Sequence, residues 1–336
     1  MTNSLSLLRL PNKERLQILR CMDGRSLLLL SLLSQKSKEL VRSVGIKFLT
    51  SHIMVGDRIF LTIPSLCLSM YFYKVPQDNQ RVFVKPKYVW ISATEGEDDN
   101  KKWHEMKLPN QLEMEEWIEH ILYIFNTREI FQLCFDPGFE TFDLEILKSV
   151  VGNLKYLLLD FRRPRKEMKR ILSTFLPDVN DLRLIYNPFT QGDTGLRKIL
   201  IQNFDSLQLG SWDQFERFTL NDLLVCDASN ISLSPNGSFE GINQFLKLWI
   251  KGANPRLQSL SIRNGHESNP EEILKGIKIC KKYSVEEDIL YNNNIRFKGD
   301  DPNRTAVDIT RFDGVRGTIV LGLTPADGER TLSEIL

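Results

Sequence analysis

The chain has 336 residues, of which 42% are hydrophobic and 26% are charged, and its formal net charge is +1. This composition is that of a globular protein, and its length suggests two domains or a small module followed by an elongated one. A net charge so close to zero argues against general attraction to nucleic acid or to an anionic membrane.

Residues 5–44 are predicted to form three short amphipathic helices. Pro11 has a fixed φ and no amide hydrogen, so it suits the start of the first helix. Asp23 and Gly24 end that helix and can begin the second. Ser34 restarts the chain before a third, basic helix.

The predicted second helix is apolar on all sides, with leucine at positions 27–30, 32 and 33. Such a helix must be buried all round, and about forty residues cannot cover it alone. An ordinary helical cap of a larger domain is the alternative, but the pattern favours a partner chain that supplies part of the cover.

The spacing of residues after Pro11 resembles that of an F-box. The matching apolar, acidic and small polar residues are Ile18, Leu19, Met22, Asp23, Leu27 and Ser31. The chain departs from the family pattern at Lys13, where an acidic residue is usual, and at Gly24, where proline is frequent. The resemblance implies an adaptor module that does no chemistry itself and needs no cofactor.

An F-box is expected to bind a Skp-type adaptor protein and, through it, a cullin. The apolar side chains of the first two helices would form the binding surface, with two serines at its edge. The candidate adaptor-binding residues are Leu8, Leu10, Pro11, Ile18, Met22, Leu30, Ser31, Leu33 and Ser34.

Residues 51–110 are predicted to be a β-rich connecting segment, because aromatic and β-branched residues are frequent there. Predicted strands cover 59–63, 68–75 and 81–92. An acidic loop follows at 95–100. The next segment, 111–125, is strongly amphipathic and is predicted to be a helix that covers the first strand of the region beyond it.

A Leu-x-Leu strand pattern recurs between residues 129 and 265. The second apolar residues lie at 135, 159, 184, 209, 233 and 262, so the steps are 24, 25, 25, 24 and 29 residues. Amphipathic segments fill most intervals, which predicts a degenerate leucine-rich-repeat-like solenoid of strands and helices. A doubly wound α/β sheet is the alternative, but no glycine-rich phosphate loop follows any strand.

In each repeated strand the residue between the two apolar positions is expected to face the open side of the sheet. These candidate target-binding residues are Cys134, Leu158, Arg183, Gln208, Ser232 and Ser261. Solenoids usually bind partners on this face. A merely solvated sheet face is the alternative.

Residues 223–262 resemble the F-box-associated domain (type 2) of the large nematode F-box family. The specific part is Phe-Leu-Lys-x-Trp-x-Lys-Gly-x-Asn-Pro-x-Leu at 245–257, whose apolar residues are predicted to be part of the fold. Residues 309–314 resemble the C-terminal hairpin of that family, for which a two-residue Asp-Gly turn is predicted. With the F-box, this resemblance implies the substrate-recognition subunit of a Skp–cullin–F-box ubiquitin ligase.

The predicted fold class is α/β and the chain is divided into four parts. These are an F-box at 1–50, the β-rich connecting segment at 51–110, the leucine-rich-repeat-like solenoid at 111–265, and a C-terminal helix, hairpin and tail at 266–336. The F-box-associated region lies at about 200–270. The last dozen residues, which contain Pro325 and Gly328, are predicted to be loose.

The remaining predictions concern location and function class. The five scattered cysteines indicate buried, reduced thiols, and the protein is expected to be intracellular, in the cytoplasm or nucleus. An enzyme is less favoured because no nucleophile motif or metal-ligand cluster is present. A third class comprises a protein-interaction scaffold without a ligase role and an RNA-binding protein, and the neutral charge argues against the latter.

Overall fold

The computed structural model describes most of the chain. The described ranges are 10–48, 50–73, 86, 88–95, 102–109, 112–127, 130–159, 165–176, 178–190, 193–210, 215, 218–234, 241–264, 270–284, 305–323 and 330–335. The chain divides into two compact units. Unit 1 comprises residues 1–157 and 171–178, and unit 2 comprises 158–170 and 179–336.

Unit 1 begins with three helices and continues into a sheet. The helices of this unit are α1 (Asn12–Arg20), α2 (Gly24–Ser31), α3 (Gln35–Ser43), α4 (Met114–Ile124) and α5 (Leu144–Val151). The strands are β1 (His52–Val55), β2 (Ile59–Ile63), β3 (Leu68–Tyr73), β4 (Tyr88–Glu95), β5 (Lys102–Pro109), β6 (Ile130–Phe135) and β7 (Leu154–Leu159), the last of which ends in unit 2. The helix α6 (Arg165–Phe175) also has residues in both units.

The strands of unit 1 form an antiparallel meander with one parallel addition. The order is β5-β4-β3-β2-β1-β6, and only the β1–β6 pair is parallel in this series. In β2 and β3 every second side chain is buried, as expected for a sheet with one covered face. The helix α2 contacts β4 and α4, so the chain itself supplies part of the cover that the leucine pattern assigns to a partner.

Unit 2 contains parallel strands followed by antiparallel ones. Its helices are α7 (Gly195–Leu200), α8 (Leu220–Val225), α9 (Ile242–Ile250) and α10 (Pro270–Leu274). Its strands are β8 (Asp181–Leu184), β9 (Ser206–Leu209), β10 (Asn230–Leu233), β11 (Ser259–Asn264), β12 (Lys281–Ser284), β13 (Thr305–Thr310), β14 (Arg316–Leu323) and β15 (Arg330–Ile335). The strand order is β8-β9-β10-β11-β15-β14-β13-β12.

The parallel strands of unit 2 share one register of core residues. Leu182 lies opposite Leu207, Leu207 opposite Ile231, and Ile231 opposite Leu260, and all four are buried. The predicted mixed α/β class and the N-terminal helices are confirmed. Between the repeated strands β9 and β10 lies α8, which begins at a capping box formed by Thr219 and Asp222.

Several local predictions need correction. The predicted C-terminal hairpin is formed by β13 and β14, but residues 311–315 connect them, not a two-residue turn. The tail is not all loose, because β15 pairs with β11 and β14. Strand β5 is not predicted by its sequence, which contains no β-branched residue. Of the cysteines, only Cys134 and Cys226 are buried, and burial raises the pKa of Cys226 to about 12.

Within the described ranges, no helix has both the length and the apolar character that crossing a membrane requires.

Candidate functional site

The junction between α1 and α2 is built by an aspartate and a glycine. The Asp23 carboxylate accepts hydrogen bonds from the Ser26 amide at 2.7 Å and from the Ser26 hydroxyl at 2.9 Å, which caps α2. Gly24 follows and is buried. A Cβ on Gly24 would lie 2.8 Å from the Cβ of Leu66, in the 3-10 turn Pro64–Leu66. A residue with a side chain, such as the proline frequent in the family, would overlap this turn, which explains the glycine at position 24.

We expect Gly24→Ala to lower the free energy of unfolding by about 1–3 kcal/mol, because the added methyl group overlaps Leu66. The control is Gln17→Ala at an exposed position of α1, which should stay within about 0.5 kcal/mol of the parent. Chemical denaturation followed by circular dichroism measures both. Equal stability of the two variants would show that the turn moves aside without cost.

The predicted adaptor-binding residues differ in exposure. Leu33 is 75% exposed and Ile18 is 43% exposed, which is unusual for large apolar side chains. Pro11 and Ser34 are exposed as well, whereas three others are half-buried, namely Leu10, Met22 and Leu30. Leu8 lies outside the described residues. Ile18 of α1 and Leu33, just after α2, are thus left largely uncovered by the described residues.

Ser31 does not lie at the edge of an exposed surface, which corrects the prediction for this residue. It is 2% exposed, and its hydroxyl lies 2.6 Å from the carbonyl oxygen of Leu28 and 2.7 Å from Nε2 of His120. The hydroxyl has a single proton, so donation to Leu28 leaves its oxygen to accept from the N–H of His120. Ser31 therefore joins α2 to α4 inside unit 1.

Further polar contacts join α3 to α4. The Tyr123 hydroxyl donates to Glu39 at 2.6 Å, and the Asn126 amide donates to the Arg42 carbonyl oxygen at 3.0 Å. The guanidinium of Arg42 lies 4.0 Å from the centre of the Tyr123 ring. The helix α4, predicted only as a cover for the repeated strands, thus packs against the three-helix module and also contacts α5.

His120 belongs to this interface and is not among the residues that the sequence predicts for the site. It is 7% exposed, and burial together with the positive charge of Lys38 lowers its pKa to about 4. The sequence does contain a signal that His120 is buried, because this residue lies between Trp117 and Ile124 on the apolar face of α4. A histidine at such a position is expected to be buried and neutral.

Four of the predicted target-binding residues lie in one row. Arg183 is opposite Gln208, Gln208 is opposite Ser232, and Ser232 is opposite Ser261. All four are half-buried. The register therefore brings together side chains that are about 25 residues apart in the sequence.

The two remaining predicted target-binding residues differ from each other. Leu158 is half-buried, like the four residues of the row. Cys134 is only 9% exposed, and Gln132 Nε2 lies 2.9 Å from its sulfur. Its neighbour on β1 is Met54. Cys134 is therefore buried, which corrects its assignment to an open surface.

A cavity of about 590 Å³ lies in unit 2 beside the starts of α7 and α8. It is lined by Asn187, Phe189, Thr190, Asp193, Thr194, Leu196, Arg197, Thr219, Asn221 and Asp222. Its acids are engaged: Asp193 pairs with Lys169, whose hydrogen bond lowers the pKa of Asp193, and Asp222 caps α8. This lining contains no His or Cys and suits polar recognition more than nucleophilic chemistry.

The motif at 245–257 has a structural explanation. Phe245 and Trp249 are buried, while the side-chain amide of Asn254 donates to the carbonyl oxygens of Leu223 at 3.0 Å and Cys226 at 2.8 Å. Asn254 has φ +50, a left-handed conformation that asparagine tolerates well. The motif therefore fixes the end of α9 against α8.

Comparisons with known proteins agree with both resemblances. The F-box domain model matches residues 7–49, and the F-box associated model matches residues 195–262. One curated relative is the F-box associated domain-containing protein sdz-33 of Caenorhabditis elegans, which is 27% identical over 150 residues. The match covers 44% of this chain and 44% of that relative. No solved structure matches.

Proposed function

We propose that this F-box protein is a non-catalytic substrate-recognition adaptor that links a target protein to a Skp–cullin ubiquitin ligase. The observation that carries the proposal is the presence of an F-box at 7–49 and an F-box associated segment at 195–262 on one chain. In such a complex other subunits perform ubiquitin transfer. The adaptor contributes by raising the local concentration of the target, which would then be ubiquitinated and degraded.

The exposed apolar residues of the F-box support the adaptor-binding part of the proposal. Leu33 and Ile18 would be covered by the Skp-type protein, and burial of such side chains is the main source of affinity at an interface. The surface that we propose consists of Leu8, Leu10, Pro11, Ile18, Met22, Leu30, Leu33 and Ser34. Ser31 supports it from inside by holding α2 against α4.

The target-binding part of the proposal rests on the repeated strands. We propose that they form a degenerate leucine-rich-repeat-like solenoid over 111–265, between the connecting segment at 51–110 and the C-terminal region at 266–336. The row from Arg183 to Ser261, together with Leu158, would face the target. The shared register of β8 to β11 supports this assignment. An intracellular location, cytoplasmic or nuclear, belongs to the same proposal.

The test is capture of a purified Skp-type adaptor by the full chain and its variants. Leu33→Asp places a charge where the proposed interface is apolar, and we expect at least a tenfold loss of affinity, or about 1.4 kcal/mol. The double variant Leu10→Asp with Pro11→Ala should abolish capture. Because Leu33 is 75% exposed, the first variant should retain the parent circular dichroism spectrum.

The matched control is Ile201→Asp, which introduces the same charge at an apolar residue that is 58% exposed outside the F-box. It should bind the adaptor like the parent. Absence of capture by the folded parent would contradict the ligase role and leave a protein-interaction scaffold. Robust ubiquitin transfer by the isolated chain would contradict the non-catalytic role.

A further inference from the structure

The antiparallel sheet of unit 1 carries aromatic side chains on the face opposite its core. Cross-strand pairs place them side by side: Met54 faces Phe60, Phe60 faces Tyr71, and Tyr71 faces Trp90. Tyr73 faces Tyr88 in the same way. We define the aromatic face as Met54, Phe60, Tyr71, Tyr73, Tyr88 and Trp90. Its aromatic rings are half-buried and Met54 is exposed.

We infer that the aromatic face, with Arg58 and Lys107, is a docking surface for an extended, acidic polypeptide segment of a partner protein. This inference concerns a surface outside both matched family segments, and it does not depend on the proposed ligase role. Clusters of Tyr, Trp and Arg are the composition from which binding hot spots are built. A sheet face also presents side chains at the spacing of an extended chain.

The charge of this surface indicates an acidic partner. The guanidinium carbon of Arg58 lies 5.0 Å from the centre of the Tyr71 ring and 5.5 Å from that of Tyr73, whose hydroxyl accepts from Nη1 at 3.0 Å. Lys107 Nζ lies 4.2 Å from the centre of the Tyr88 ring. Neither cation has a carboxylate partner among the described residues. Carboxylates of a partner would therefore meet two cations that lack an acidic partner, beside apolar rings.

The same geometry disfavours single-stranded nucleic acid as the occupant. Phe60 stacks on Tyr71 with ring centres 4.6 Å apart, and Tyr73 stacks on Tyr88 at 4.7 Å. The faces of Tyr71 and Tyr88 are thus occupied, because each ring stacks on a neighbouring ring and lies close to the positive group of Arg58 or Lys107. Bases need unoccupied ring faces on which to stack. A polypeptide needs only the ring edges and the cations.

The test uses the full chain and three labelled probes in fluorescence anisotropy. The first is a peptide of about ten residues that alternates Glu with Val, and spans roughly 33 Å when extended. The second has Lys in place of Glu, and the third is an oligouridine of similar length. We expect the Glu peptide to bind, the Lys peptide not to bind, and the oligouridine to bind more weakly than the Glu peptide. Affinity for the Glu peptide should fall as salt is added.

Charge reversal locates the binding surface. Arg58→Glu with Lys107→Glu should weaken binding of the Glu peptide by at least about tenfold. Lys47→Glu with Lys275→Glu changes the net charge equally at exposed positions elsewhere and should leave binding unchanged. Both double variants should still capture the Skp-type adaptor, because none of these substitutions falls on the proposed adaptor-binding surface. Failure of this inference is therefore distinguishable from failure of the ligase proposal.

Four results would overturn the inference. The first is no binding of the Glu peptide by the folded chain. The second is equal loss of affinity in both double variants, which would indicate attraction to net charge alone. The third is tighter binding of the oligouridine than of the Glu peptide. The fourth is self-association of the chain that Tyr88→Ala abolishes. Either of the last two would assign the aromatic face to a different occupant.

Discussion

Replacing Trp249 with alanine is expected to lower the free energy of unfolding by about 3–5 kcal/mol. Trp249 is 1% exposed in α9, and the guanidinium of Arg311 lies 5.5 Å from the centre of its ring. Arg311 is itself held by Asp313, through hydrogen bonds of 2.9 Å to Oδ1 and 2.6 Å to Oδ2. Truncation would leave a cavity and remove the ring that the buried guanidinium contacts. A loss of this size is a large fraction of the stability of a typical domain.

The control for this prediction is Trp249→Phe. The indole Nε1 of Trp249 is buried and has no hydrogen-bond partner among the described residues. Phenylalanine would remove that unsatisfied donor while it fills most of the space, so the expected loss is only about 1 kcal/mol. Urea unfolding followed by circular dichroism measures both variants. Equal losses for Ala and Phe would show that the indole nitrogen has a partner that stabilises the fold.

Lowering the pH from about 6.5 to about 4 is expected to remove about 3 kcal/mol from the stability of unit 1 through His120 alone. The pKa of His120 is lowered to about 4 in the folded chain, from a value of 6.5 in the unfolded chain. Between these two values the unfolded chain binds a proton and the folded chain does not. The free energy of unfolding therefore falls as the pH is lowered through this window. Above pH 6.5 the full stabilising contribution of neutral His120 is present.

His120→Gln tests this prediction, because the amide can still donate to Ser31 but does not titrate. Its free energy of unfolding should lack the His120 component of the pH dependence between pH 4 and 6.5. Denaturant titrations at several pH values, compared with the parent, measure the difference. The same dependence in both proteins would mean that carboxylates, not His120, cause the loss of stability in acid.

Because adaptor binding is proposed to use α1 and α2, capture of the adaptor by the parent should weaken between pH 6.5 and pH 4.

Local sequence patterns predict many of the helices and strands and both family resemblances. Asp23 and Ser34 mark the starts of α2 and α3. Their side-chain oxygens accept hydrogen bonds from the backbone amides three residues later, so these helix starts depend only on residues close in the sequence. The 24- and 25-residue steps predicted the strands β8, β9 and β10, and the register of Leu182, Leu207 and Ile231 follows them. The apolar residues of the motif at 245–257 are part of the fold, as their helical spacing predicts.

Contacts between distant segments determine which of these residues are accessible. Ser31 and Leu33 belong to the same leucine-rich segment, yet Ser31 is buried against His120 of α4 and Leu33 is 75% exposed. No local pattern gives this difference, because His120 lies 89 residues away from Ser31 in the chain. Alternation predicts that Cys134 faces the open side, but it is buried, and the strand that pairs with it at Met54 is distant in the sequence. The aromatic face likewise exists only because antiparallel pairing aligns residues 54 to 90. Periodicity determines which side chains share a face, and packing between distant segments determines whether that face is open.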